Sequence, residues 1–281
     1  MRRVLLFTGW LLIASPSSGF AQGDVIFADG FETGDTSAWT GVEVDIWRPS
    51  PGTSWQWQLD STIDTSIDVD MYDIDLFDVP EATIADLKAA GRVVICYFSA
   101  GSWEDWRPDA GDYPALVLGD PLDGWPGERW VDIRRLDLLG PILEARLDLA
   151  STKGCAGVEP DNVDAYQNSS GFPLTSADQL VFNRWIASRA HQRGLSVGLK
   201  NDLDQVADLQ ADFDWAINEQ CYQYTECDVL QPFMDAGKAV FGVEYTGNED
   251  VFCPYFNALG YSWLKKNLAL DAWRIDCQGI P

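Results

Sequence analysis

The run Gly154–Tyr166, GCAGVEPDNVDAY, sets small and apolar residues (Cys155, Ala156, Gly157, Val158) directly before three acids, Glu159, Asp161 and Asp164. A buried strand ends in that much charge only where the charge is solvated or used, because an unpaired buried carboxylate is costly. Comparable short apolar or β-branched runs recur along the chain: WQWQL (55–59), MYDIDLF (71–77), VVICYF (93–98), RWVDI (129–133), CAGVE (155–159), LSVGLK (195–200), DWAIN (214–218) and AVFGVEY (239–245). Longer helix-like stretches separate them. PEATIADLKAAG offers Pro80 at a helix start, Ile84 and Leu87 on one face and Gly91 as a stop; TSADQLVFNRWIASRAHQRG offers Ser176 as a cap and ends at Gly194. Strands alternating with helices predict parallel βα units, and eight such units close an α/β fold of the (β/α)8 TIM-barrel type.

Barrel geometry turns the charged strand end into a prediction. In this fold side chains at the C-terminal strand ends build the working surface. Polar residues cluster there: Asp60 after the first run, Ser99 after the third, Glu159 and Asp161 after the fifth, Lys200, Asn201 and Asp202 after the sixth, Glu219 after the seventh and Glu244 at the end of the eighth.

Composition limits what the surface does. With 281 residues and 46% hydrophobic content, one large core is within reach. Arg2 and Arg3, the apolar run from Val4 to Ala14 and the small residues up to Ala21 read as an export signal over 1–22, followed by an Asp/Gly/Thr/Ser-rich extension over 23–50 and the barrel over 51–281. No later stretch is long enough to span a bilayer, so the expected product is secreted or periplasmic, and a monomer. Without Arg2 and Arg3 the formal charge falls two units from −25, to −27. Phosphate backbones need Lys and Arg, so nucleic acid is not the expected partner; solubility, or attraction of a cationic ligand, explains the acidity.

Six cysteines suit an oxidising compartment. Cys221 with Cys227 would close a short loop and Cys253 with Cys277 would tie down the C-terminus, leaving Cys96 and Cys155, but spacing does not choose among the connectivities. No CxxC or CxxH spacing suggests a metal, and no cofactor is expected. The single histidine, His191, sits late in a helix-like segment, a structural position. A Ser/His triad or a multi-histidine metal site has nothing to be built from, so carboxylates carry any acid–base work.

The blocks WQWQLD, YDIDLFD, ICYFSAGSWEDWRPD, GVEPDNVDAY, GLKND and INEQC, in this order from Trp55 to Glu244, resemble family 114 glycoside hydrolases, the endo-α-1,4-polygalactosaminidase-like barrels. The resemblance implies cleavage within α-1,4-linked galactosamine chains, a substrate that is cationic when its amines are free. Glycosidic cleavage needs one carboxyl to protonate the leaving oxygen and a second as nucleophile or base. Carried over by block, the pair is Asp161 and Glu219. Glu219, ending an apolar strand where desolvation favours the acid form, is expected as general acid, and Asp161 as nucleophile or base. The family pattern often has aspartate where this chain has Glu159.

Asp60, Asp73, Tyr97, Ser99, Glu159, Asp164, Lys200, Asn201 and Glu244 complete the expected substrate-binding set. Rival readings remain at this level: Asp161 or Asp164 as a helix cap, Glu219 as a structural partner of Lys200, and Trp103, Trp106, Trp125 and Trp130 as core rather than sugar platforms. So do two rival functions, a polysaccharide-binding barrel without hydrolysis and a glycosidase of other specificity.

Overall fold

The computed structural model describes residues 46–280; the expected export signal and the extension before residue 46 lie outside them. Eight parallel strands form the wall: β1 (Trp55–Gln58), β2 (Met71–Asp75), β3 (Val93–Ser99), β7 (Gly157–Asp161), β8 (Ser196–Lys200), β9 (Trp215–Glu219), β10 (Val240–Glu244) and β11 (Ser262–Lys266). The hairpin-like β12 (Arg274–Asp276) pairs antiparallel with β11. Near the seam, the Trp55 indole N–H reaches the Ser262 carbonyl at 3.0 Å and the Leu59 N–H reaches the Leu270 carbonyl, so the sheet is nearly closed.

One of the expected strands needs correction, and one barrel strand was not among them. RWVDI is not a barrel strand. Its residues fall in β6 (Glu128–Val131), which joins β4 (Ser102–Glu104) and β5 (Leu118–Pro121) in an antiparallel sheet inserted between β3 and β7. A short apolar run has the same period in either setting, so sequence does not separate the two. The missing eighth barrel strand is β11, SWLKK, whose two lysines disguise it.

Alternate residues on each strand enter different cores, as a pleat requires. Trp55, Trp57, Met71, Ile95, Trp215, Ile217, Phe241, Val243 and Leu264 fill the barrel interior. Tyr72, Ile74, Val94, Phe98, Val158, Val197 and Leu199 face the other way, against helices α1 (Glu81–Ala89), α2 (Leu136–Lys153) and α3 (Ser176–His191) through Leu87, Leu143, Leu147, Phe182 and Ile186. The Trp215 indole fits inside because Gly198 has no side chain; an added Cβ would collide with its ring. The cap of α3 is Thr175, one residue before the expected Ser176, in a reciprocal box with Asp178.

Three one-turn helices, α4 (Val206–Leu209), α5 (Cys221–Tyr224) and α6 (Gln231–Asp235), and the longer α7 (Glu249–Leu259) connect the later strands. Cys96 bonds to Cys155, Cys221 to Cys227 and Cys253 to Cys277. His191 closes α3 with its Nε2 2.8 Å from Asp214 Oδ2, which also accepts from the Val197 N–H, a structural role remote from the strand C-termini. Among the described residues no helix is long and apolar enough to cross a membrane.

Candidate active site

The run Gly154–Tyr166 contains β7. Its pleat sends Gly157, Glu159 and Asp161 inward, with Asp161 at the rim, and the next two strands end inward in Lys200 and Glu219. These four side chains form one cluster. Lys200 is almost wholly buried, and its Nζ lies 2.8 Å from Glu159 Oε1 and 3.3 Å from both Asp161 Oδ1 and Glu219 Oε2. Burial opposes the ammonium, but Asp161, Glu159 and Glu219 outweigh it and hold the Lys200 pKa above its usual value. Lys200 also lies over the Trp57 ring, whose indole N–H donates to Glu159 Oε2 at 2.9 Å.

Each carboxylate at the rim has its own donors. Asp161 accepts from the Tyr97 hydroxyl at 2.9 Å and from the Asn162 N–H at 2.7 Å. Glu219 accepts from the Tyr245 hydroxyl and from Asn201 Nδ2 at 3.3 Å, while Asn201 Oδ1 receives the Glu219 N–H at 3.0 Å. The residues just past these strand ends, Asn162, Asn201 and Gln220, all have positive φ (59°, 50° and 65°). Asn tolerates that conformation and Gln does so less readily; such backbone is retained where the surroundings fix it, commonly at functional sites.

Two hollows meet over this cluster. One, of about 500 Å³, is lined by Asp123, Trp130, Asp161, Asp164, Asn168, Asn201 and Glu219; the other, of about 400 Å³, by Asp60, Tyr97, Trp106, Glu128 and Leu268. Trp125, Asp161 and Lys200 line both, so the two join into one cleft running across the barrel mouth. Trp106 and Trp125, in the inserted segment, are about half exposed and line the cleft; Trp130 is buried in a small core with Leu122 and Ala165.

The structure brings Asp60, Tyr97, Asp161, Asp164, Lys200, Asn201 and Glu219 to this cleft, and leaves four expected substrate contacts out of it. Asp73 and Glu159 are fully buried one layer below the rim. Ser99 is buried under the inserted segment, bonded to Ser102 and Asn162. Glu244 faces out of the barrel and accepts the Tyr222 N–H at 2.9 Å, holding the start of α5. Sequence reasoning missed Tyr245 and Trp57, yet period 2 points to both: Phe241, Val243 and Tyr245 share the inward face that Glu244 does not. Neither Asp161 nor Asp164 caps the helical turn Ala165–Gln167 through its side chain. Glu219 does pair with Lys200, but within the cluster that also holds Asp161. Among the described residues no His, Cys, Asp and Glu group is arranged to hold a metal ion.

Burial, the first cause in each case, raises the carboxyl pKa of Glu128 and of Glu159 to about 7, of Asp202 to about 8 and of Asp164 to about 6. For these groups the folded pKa exceeds the unfolded one, so the folded state binds more protons between the two values and stability grows as pH falls through that window. Lys266, lowered by burial to about 7, acts the opposite way, but only above pH 7. Melting temperature is therefore expected to rise as pH is lowered from about 7.5 to about 5.5. A lower melting temperature at the acidic end in differential scanning calorimetry would contradict this electrostatic picture.

The family model described as "Glycoside-hydrolase family GH114" matches residues 36–281. The chain belongs to that family. A crystal structure of Aspergillus fumigatus Ega3 in complex with galactosamine is 44% identical, with a TM-score of 0.78, covering 82% of this chain and 97% of that one. The glycoside hydrolase domain of PelA from Pseudomonas aeruginosa, 15% identical with a TM-score of 0.63 over 81% of this chain and 98% of that one, shares the fold. An uncharacterised protein of Deinococcus radiodurans is 30% identical over 202 residues, a match spanning 63% of this GH114 chain and 63% of that protein's length.

Proposed function

We propose that this GH114 chain is an exported glycosidase that cuts internal α-1,4 bonds of galactosamine-containing polysaccharide, with Asp161 and Glu219 as its catalytic pair. One observation carries the reading: a single ammonium, Lys200, holds both carboxylates at 3.3 Å in the middle of a cleft that extends to both sides. A cleft continuing past the catalytic pair admits a chain interior, as an endo-acting enzyme requires. The rival reading as a binding-only barrel gives no reason for two rim carboxylates fixed this close together. The 44% identical relative crystallised with galactosamine supports an amino-sugar substrate, and so do the acids along the cleft, Asp60, Asp123, Glu128 and Asp164. The three disulfides support export, with 1–22 as the signal, 23–50 as an extension and 51–281 as the catalytic domain.

Because each carboxylate oxygen lies 3.3 Å from Lys200 Nζ, the two oxygens are no farther apart than twice that distance. That ceiling admits the roughly 5–5.5 Å separation of double-displacement glycosidases, and double displacement is the route proposed here. Asp161 then attacks the anomeric carbon while Glu219 gives its proton to the departing oxygen. Glu219, now a base, takes a proton from water, and the hydroxide displaces Asp161 with net retention.

Partly deacetylated α-1,4-galactosamine polymer is the test substrate. Shorter oligomers by mass spectrometry, with affinity that weakens as salt rises, are expected; a fully N-acetylated polymer lacks the ammonium groups and its binding is expected to vary little with salt. An intact polymer after prolonged incubation with folded protein would overturn the hydrolase reading. Equal salt responses of the two polymers would reduce the acidity to a solubility role.

A further inference from the structure

The mechanism uses the rim and leaves unexplained a carboxyl beneath it. Asp73, inward on β2, is fully buried, and neither of its oxygens receives an N–H or O–H from a nitrogen or hydroxyl donor among the described residues. The neighbouring carboxyl is Glu159, itself fully buried and already accepting from Trp57 and Lys200. The charged groups acting on Asp73 are Glu159 and Asp161 from β7 and Lys200 from β8; the Glu219 carboxylate of β9 also draws on that same ammonium.

Were all four carboxyls ionised, one ammonium would face four negative charges, and Asp73 would hold its charge with no donor at all. A buried bare carboxylate of that kind does not persist. A carboxylic acid does, because its O–H is a donor and Glu159 is an acceptor within reach.

We infer that Asp73 is a neutral carboxylic acid in the working enzyme and donates to Glu159, acting as a positioning residue that fixes Glu159 and, through it, Lys200 between Asp161 and Glu219. Burial first, and the Glu159 charge second, hold the Asp73 pKa well above the usual carboxylate range. Glu159 already accepts from the Trp57 indole and the Lys200 ammonium whereas Asp73 has no donor, and that asymmetry puts the proton on Asp73. The consequence is an anchor of three donors for Glu159: the Trp57 indole, the Lys200 ammonium and the Asp73 acid. With Glu159 immobile, the Lys200 ammonium has one position, and that position is the one that touches both rim carboxylates. The kinetic part of this inference rests on Asp161 and Glu219 being the catalytic pair; the location of the proton does not.

Infrared spectroscopy reads the proton directly. The wild-type minus Asp73→Asn difference spectrum at neutral pH is expected to show the carbonyl stretch of a protonated carboxylic acid. A difference spectrum showing carboxylate bands in its place would overturn the inference, whatever the fate of the proposed hydrolysis. In kinetics, Asp73→Ala is expected to lower kcat by about ten- to a hundredfold with little change in KM, the scale of a small misplacement of reacting groups. Asp73→Asn, whose amide N–H still donates to Glu159, is expected to recover most of that loss. An Asn variant that is folded, by its circular dichroism, but as slow as the Ala variant would show that a negative charge is needed at this position, and the inference would fall.

Discussion

Glu219→Gln and Asp161→Asn are each expected to lower turnover of galactosamine polymer by at least about a hundredfold, the lower range for loss of a positioned acid, base or nucleophile. Both substitutions preserve shape and keep an acceptor for the neighbouring hydroxyls, Tyr245 for Glu219 and Tyr97 for Asp161. The fold is therefore expected to survive, and circular dichroism checks that it does. The two losses should differ in kind. A substrate with an activated aryl leaving group needs little protonation, so Glu219→Gln should lose less on it than on polymer, whereas Asp161→Asn should be equally impaired on both because an amide replaces the nucleophilic carboxylate. Turnover near wild type in either folded variant would remove that residue from the mechanism. A reversed response to the aryl substrate would exchange the two roles.

Much of this site was legible in the sequence because the barrel converts a one-dimensional pattern into a place. Apolar runs ending in charge mark the C-terminal strand ends, and Asp161, Lys200 and Glu219, which end β7, β8 and β9, meet within hydrogen-bonding reach. Depth was not legible. Asp73, Glu159 and Asp161 all face inward, but only the stagger of neighbouring strands tells rim from floor, and here Tyr97 is level with Glu159 and Ser99 with Asp161. Orientation was legible in part: strict alternation assigns Tyr245 to the interior and Glu244 to the outside, whereas closeness to a strand end alone favours Glu244. The inserted sheet was illegible for another reason, since β6 is a short, mostly buried run like a barrel strand and nothing in it shows that it pairs antiparallel with β4 and β5. The disulfides depended on tertiary proximity as well: Cys96 and Cys155 are 59 residues apart and meet because β3 pairs with β7.

Lys200→Met is expected to do more damage than loss of either rim carboxylate, because it affects folding as well as chemistry. Methionine roughly fills the volume of the lysine stem but leaves Glu159 buried with its countercharge removed and deprives Asp161 and Glu219 of their common anchor. Breaking a buried ion pair by deleting one partner costs about 3–5 kcal/mol, a fall in melting temperature of roughly 6–20 °C for a domain of this size. The sign of its pH dependence follows from Glu159. The lysine lowers the Glu159 pKa in the wild type, so without it burial raises that pKa further. The folded variant then takes up a proton at a pH where neither the unfolded chain nor the folded wild type does, and the stability difference from wild type should narrow as pH falls toward about 7, below which the wild-type Glu159 is protonated too. Adding Glu159→Gln to Lys200→Met removes the stranded charge and should restore a large part of the lost stability, while activity stays low because Asp161 and Glu219 still lack their anchor. A single Lys200→Met variant melting within a degree or two of wild type at neutral pH would mean that the cluster tolerates its carboxylates without the ammonium, and the electrostatic account of this barrel mouth would have to be given up.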